Sequence, residues 1–228
     1  NGTRALVAGG NSVINTIGFG SIAQTGNFAD FGDLTVARNA LVGICSPVRA
    51  VFAGGTDGSS PSPAFLNTID YVTINSTGNA TDFGDLSGTS GYMGAANDSS
   101  GKGFFIGGQG SPATKGTTST DVITIASTGN ASNFGVLTQA TKSCASVSQG
   151  TTAITMGGSS PSNNNVIQRF VMPSLGNATD FGDLSRSVGN NKGASGAHDG
   201  IDWGSAAVQR ASVNYMPGSG RGFNIGGS

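Results

Sequence analysis

The residues able to do chemistry are few, and most of them are aspartates. Three pairs recur at one spacing: Asp30/Asp33, Asp82/Asp85 and Asp180/Asp183. Paired carboxylates are oxygen ligands for hard cations such as calcium. The corresponding place in a fourth segment holds Asn133 and Val136, and the alternating acids of a dedicated calcium loop are missing. An Asp at a strand end more often caps a turn with its own carboxylate, and we assign the pairs that role. His198 is the only histidine. A metal site or a hydrolase triad would need more partners than Ala197-His198-Asp199-Gly200 offers. The Asp-Phe-Gly tripeptides lack the lysine strand and catalytic loop that accompany this triplet in kinases. The glycine run Gly103–Gly108 lacks the Lys-Ser/Thr of a phosphate loop. Cys45 and Cys144 lie in different repeats and read as small buried thiols rather than a disulfide. No enzyme, cofactor or metal is expected.

Each aspartate pair sits in a longer phrase. Thr25–Leu34, Thr77–Leu86, Thr128–Leu137 and Leu175–Leu184 repeat Gly-Asn-x-x-Asp/Asn-Phe-Gly-x-Leu, anchored by Phe31, Phe83, Phe134 and Phe181 at spacings of 52, 51 and 47 residues. A second motif is interleaved with the first. Apolar residues run into paired glycines at Gly9-Gly10, Gly54-Gly55, Gly107-Gly108 and Gly157-Gly158. Ile201-Asp-Trp-Gly204 falls where a fifth such strand belongs, Ala207-Val-Gln-Arg210 echoes Val166-Ile-Gln-Arg169, and Phe223 stands at a fifth anchor. A period near 50 residues points to a propeller or solenoid.

Each unit reads as four short strands: one entering Gly-Gly, one β-branched, one bearing the Phe, and one rich in small residues. Examples of the last are Ala40–Cys45, Gly91–Ala96 and Ser143–Val147. Small residues suit the innermost position, where blades crowd the axis, and the anchor Phe would fill the gap between neighbouring blades. The expected fold is therefore all-β, with about five four-stranded blades of roughly 45–50 residues. The last blade is degenerate, and residues 1–228 form a single domain. That domain is either a mature product or the ordered part of a longer chain.

Composition agrees. All twelve acids are Asp, Gly numbers 39, and charged residues make up 10% of the chain. Solvent-facing helix normally uses Glu, Lys and Ala, so a helical protein is excluded. A net charge of −1 without a basic run argues against nucleic acid as a partner. The longest apolar stretches, about six residues, fall far short of the ~20 that span a bilayer as helix, so no membrane insertion is expected.

The pattern resembles the kelch-type β-propeller. Gly54-Gly55, Tyr71 and Phe83 with Leu86 occupy the positions of that repeat, with Phe in place of its usual Trp. Kelch propellers that are copper oxidases carry more His and Tyr than this chain. The Thr-Gly-Asn-Ala-Thr-Asp-Phe-Gly-Asp-Leu phrase is also similar to kelch-like repeats in tail-fibre and other virion proteins of marine bacteriophages, especially cyanophages. That second resemblance implies a non-enzymatic virion protein, located on the virion or extracellularly. Its partners would be other virion subunits and a host-surface glycan or protein. The competing reading is a secreted or surface lectin-like propeller. In a phage setting the sequons at Asn75, Asn79, Asn130 and Asn177 are repeat vocabulary rather than glycan sites.

A specific site needs residues that differ between blades. The divergent segments are 56–66, 109–119, 159–165 and 190–205, and the first three each follow a Gly-Gly, so they should emerge on one rim. Asp57, Phe65, Lys115 and Trp203 are the ligand-binding candidates, with Tyr92 and Tyr215 as further exposed aromatics. Phe31, Phe83, Phe134, Phe181 and Phe223 are the structural anchors.

Overall fold

A computed structural model describes residues 4–10, 12–59, 63–110 and 116–193. Every regular element among them is a strand, and the strands form four antiparallel sheets. The first holds β1 (Arg4–Ala8), β2 (Ile14–Ser21) and β3 (Ala29–Arg38). The second holds β4 (Val42–Cys45), β5 (Arg49–Ala53), β6 (Thr68–Thr73) and β7 (Thr81–Asp85). The third holds β8 (Gly94–Asn97), β9 (Lys102–Ile106), β10 (Thr117–Thr124) and β11 (Ser132–Thr141). The fourth holds β12 (Ala145–Gln149), β13 (Thr152–Met156), β14 (Asn164–Val171) and β15 (Thr179–Val188). Within each sheet the strands pair in chain order. The anticipated fifth blade, with Phe223 and Trp203, lies outside the described residues.

Sheet and sequence repeat are out of phase by one strand. The small-residue strands β4, β8 and β12 do not end their repeats; each opens the following sheet by pairing with the Gly-Gly strand, as in Ile44 opposite Val51. They stand side by side, β8 against both β4 and β12. The crowding explains their composition: a Cβ on Gly94 would lie 3.0 Å from Cys144 Sγ and closer still to Ser146 Oγ.

The apolar core lies in the seams between sheets. Ile17, Phe31 and Leu34 meet Ala50, Phe52, Val72 and Ile74 in the first seam. In the second, Ile69, Phe83 and Leu86 meet Phe105, Ile123 and Ile125. In the third, Phe104, Phe134 and Leu137 meet Ala153, Phe170 and Met172. Phe31, Phe83 and Phe134 are each packed edge-on against a ring of their own sheet, at 5.6, 5.9 and 5.0 Å from Phe19, Tyr71 and Phe104. Phe181 departs from the expectation. It is 55% exposed, because no described sheet packs on β15 as the second, third and fourth pack on β3, β7 and β11.

Polar groups lock the same seams. The Gly78 and Ala80 amides donate to Phe31 and Asp33 carbonyls at 2.7 Å each, and the Asp33 amide donates to Asn79 Oδ1 at 3.1 Å. At the next seam Gly129, Ala131 and Asn130 repeat this with Phe83 and Asp85. Asn177 and Ala178 do so with Val136 at the third. The glycine after each of the first three anchor Phe residues is required by this approach: a Cβ on Gly84 would sit 2.6 Å from the Gly129 backbone carbon.

A second latch lies deeper. Thr35 Oγ1 donates to Asp70 Oδ1 at 2.5 Å, Ser87 Oγ to Asp121 Oδ1 at 2.6 Å, and Thr138 Oγ1 to Gln168 Oε1 at 2.8 Å. Only the first includes a cation. Arg38 and Asp70 are fully buried, with Arg38 Nη1 2.9 Å from Asp70 Oδ2 as an ion pair and Nη2 donating to the Phe52 carbonyl. Burial pushes the Arg38 guanidinium below its ordinary value, and Asp70 opposes that shift.

Two outcomes are expected in urea unfolding. Phe83→Ala should lose about 3–5 kcal/mol through the cavity it opens, and the exposed Phe181→Ala about 1 kcal/mol or less. Asp70→Ala should lose about 3–5 kcal/mol, because it strands a buried guanidinium. Asp121→Ala, with no cation to strand, should lose clearly less.

Candidate loop face

After each Gly-Gly the chain leaves its sheet, and the first loop residue is tied to the end of the preceding sheet. Thr56 and Asn39 exchange backbone hydrogen bonds at 2.8 and 3.0 Å, Gln109 and Gly91 at 2.7 and 2.9 Å, and Ser159 and Lys142 at 2.9 and 3.1 Å. Three equivalent anchors place three loops on one rim. The left-handed glycines make the turn possible: Gly54 and Gly55 have φ of 61° and 113°, and a Cβ on Gly54 would strike the Ser90 carbonyl oxygen.

The candidates divide. Asp57 is exposed, and its Oδ1 accepts from the Ser59 amide at 3.0 Å, Ser59 Oγ at 2.9 Å and the Ala64 amide at 2.8 Å. The Ser59 amide first, then that of Ala64, holds its carboxyl below the ordinary Asp value. Asp57 therefore shapes its own loop. Phe65 is corrected: it is 6% exposed and cannot serve as an apolar contact for a ligand. It pairs back onto Thr56, and its ring covers Gly91, whose missing side chain makes the room. Thr56 and Gln109, at 1% and 7% exposure, are likewise framework, so the variable part of the first loop begins at Asp57. Lys115, Trp203, His198 and Tyr215 lie outside the described residues.

In two of the aspartate pairs the first carboxylate acts on the backbone. Asp30 Oδ1 accepts from the Gly32 amide and Asp180 Oδ1 from the Gly182 amide, both at 3.1 Å. No group of three or more metal-ligating side chains occurs among the described residues. Cys144 is buried, and desolvation pushes its thiol up to about 11, away from the reactive thiolate. At the opposite strand ends a shallow cleft of about 270 Å³ is lined by Tyr71, Thr73, Ser76, Thr77 and Asn79, all from one hairpin.

Of a further set on the loop face the sequence singled out Tyr92 alone, as an exposed aromatic, and it is exposed. Ala40, Tyr92, Ser143 and Asn190 share φ of 53–56°. The first three each stand two residues before an axial strand, and they are linked around the axis: the Tyr92 amide donates to the Ala40 carbonyl at 2.9 Å, and the Ser143 amide to the Tyr92 carbonyl at 2.8 Å. Their residue types have nothing in common, so repetition carried no signal. Beside them Lys142 Nζ donates to Gln109 Oε1 at 2.8 Å.

No protein-family model matches this chain, and no curated protein matches it. Among solved structures it is similar to that of YjhT, with a TM-score of 0.69 and 9% sequence identity over 83% of this chain. The match spans 64% of the YjhT chain. At that identity the likeness concerns the fold alone. The fold is a kelch-like β-propeller.

In this propeller the Asp57 loop should titrate. Its folded pKa lies below that of the free side chain, so its contribution to loop order is complete above the ordinary value of 3.8 and is lost as pH falls through the lower folded value. A carboxyl-detected NMR titration should place the Asp57 midpoint below 3.8, and Ser59→Ala should move it upward.

Proposed function

We propose that the chain is a non-enzymatic propeller of a bacteriophage virion, on the tail or a tail fibre, whose loop face contacts the host surface. The observation that carries this reading is the division of labour between seam and loop. The seam phrases are nearly identical from blade to blade, whereas the three loops pinned to one rim differ in length and sequence. A rigid body with variable loops on one face is a binding scaffold. The phage setting rests on the likeness of the Thr-Gly-Asn-Ala-Thr-Asp-Phe-Gly-Asp-Leu phrase to tail-fibre repeats. Many copies on one particle would turn a weak contact into firm attachment.

The test is loop replacement. Residues 57–63, 110–116 and 160–162 are exchanged for short Gly/Ser links, leaving Thr56, Phe65, Gln109 and Ser159 in place. The melting temperature should fall by only a few degrees, because the framework is kept. Adsorption of the labelled protein to marine cyanobacterial cells should drop at least tenfold. Undiminished adsorption would remove this face from host contact.

A further inference from the structure

We infer that Tyr92 and Lys142 form a saccharide-binding site at the axial mouth of the loop face, selective for sugars that carry a carboxylate. The inference rests on the host-contact reading and assigns its ligand chemistry.

Tyr92 is the starting observation. A non-glycine residue at positive φ is costly, and Asn is the side chain that tolerates it best. Asn190 occupies that conformation, yet the third sheet places a Tyr there, with φ of 56°. Tyr92 is 41% exposed rather than packed in a seam. A flat aromatic face held in solvent at a strained position fits the stacking of an apolar ring face, and a pyranose presents such a face beside its hydroxyls.

Lys142 supplies the polar half. It precedes Ser143, whose amide is bonded to the Tyr92 carbonyl, and its ammonium is steered by Gln109, whose backbone pairs with Gly91 next to Tyr92. Two residues on adjacent blades are thereby brought within a residue or two of each other. The Gln109 carbonyl oxygen positions the ammonium without neutralising it. Among the described residues the only ion pair is Arg38–Asp70, buried in the first seam. No acidic residue stands at the three loop anchors or the four left-handed positions. A half-buried cation that meets an amide and, among the described residues, no carboxylate selects an anion. The equivalent left-handed positions hold Ala40, Ser143 and Asn190 in place of Tyr92, so among the described residues the site is single rather than repeated.

The test uses the full 228-residue chain in isothermal titration calorimetry, with a galacturonate hexasaccharide and cellohexaose as probes. The wild type should bind the acidic oligomer more tightly than the neutral one, with an affinity that falls as salt rises. Tyr92→Asn should weaken both at least tenfold while the melting temperature stays level or rises, since Asn fits the backbone better. That rise separates a lost contact from a lost fold. Lys142→Gln should abolish the preference for the acidic probe and its salt dependence. Equal binding by wild type and both variants would overturn the site and leave saccharide recognition elsewhere on the protein. Failure of the wild type to bind either probe would also overturn it, and continued adsorption to cells would show that the host-contact reading had not failed with it.

Discussion

The joint between neighbouring sheets is the interaction on which the rest of the structure depends. The strand bearing Phe-Gly-Asp offers carbonyls and an amide, and the next sheet's Gly-Asn-Ala turn meets all of them. The two backbones come so close that any side chain on Gly32 or Gly84 would collide with the turn; the added Cβ atoms would lie 2.5 and 2.6 Å from the carbonyl carbons of Gly78 and Gly129. One phrase thus carries both halves of a joint: its Gly-Asn-Ala faces back to the preceding sheet and its Phe-Gly-Asp faces forward. That is why the phrase recurs whole. It also explains the sequons: Asn79, Asn130 and Asn177 are there to accept an amide through Oδ1.

Behind the joint the seams differ in chemistry. In the first two sheets an arginine opens the Gly-Gly strand, lies over an aromatic ring and donates across the seam. Arg4 sits 5.0 Å from Phe19 and bonds the Ile74 carbonyl; Arg49 sits 4.5 Å from Tyr71 and bonds the Ile125 carbonyl. In the third and fourth sheets Lys102 stands opposite Thr124 and Thr152 opposite Val171, and Val122 and Arg169 take the places of Phe19 and Tyr71, so the arginine and its ring are both replaced. The latch shifts likewise, from a buried ion pair with Asp70, to Asp121 without a cation, to the neutral Gln168. Electrostatics weaken from the first seam to the third, where Phe134 meets Phe170 of the next sheet with ring centroids 6.1 Å apart.

Rigid seams leave variation only where the chain leaves the sheets. Loops grow from anchors such as Gln109 and Gly91 without disturbing the packing below, since loop length costs little once its ends are fixed. The hydrogen-bonded run Ala40–Tyr92–Ser143 then gathers residues from successive blades around the axis. A surface assembled this way is specific because its members come from different blades, each free to carry a different side chain.

Much of this was legible in the residues alone. Spacing of the anchor phenylalanines announced the blades, the paired glycines marked where loops begin, and small residues marked the axial strands, because each reflects a constraint every blade must satisfy. Other features were decided only by the tertiary structure. Phe65 looked like an exposed loop aromatic, yet Gly91, at the far end of the same sequence repeat, leaves a space that its ring fills. The small-residue strand closes each sequence repeat but opens the next sheet, a choice settled by its pairing partner rather than its own pattern. Arg38 and Asp70, 32 positions apart, carried no local sign of an ion pair until two sheets pressed them together out of water. The left-handed positions share a backbone conformation but no residue type, so repetition could not reveal them. What each blade needs is written in every copy; what differs between blades is determined by which of them meet in space.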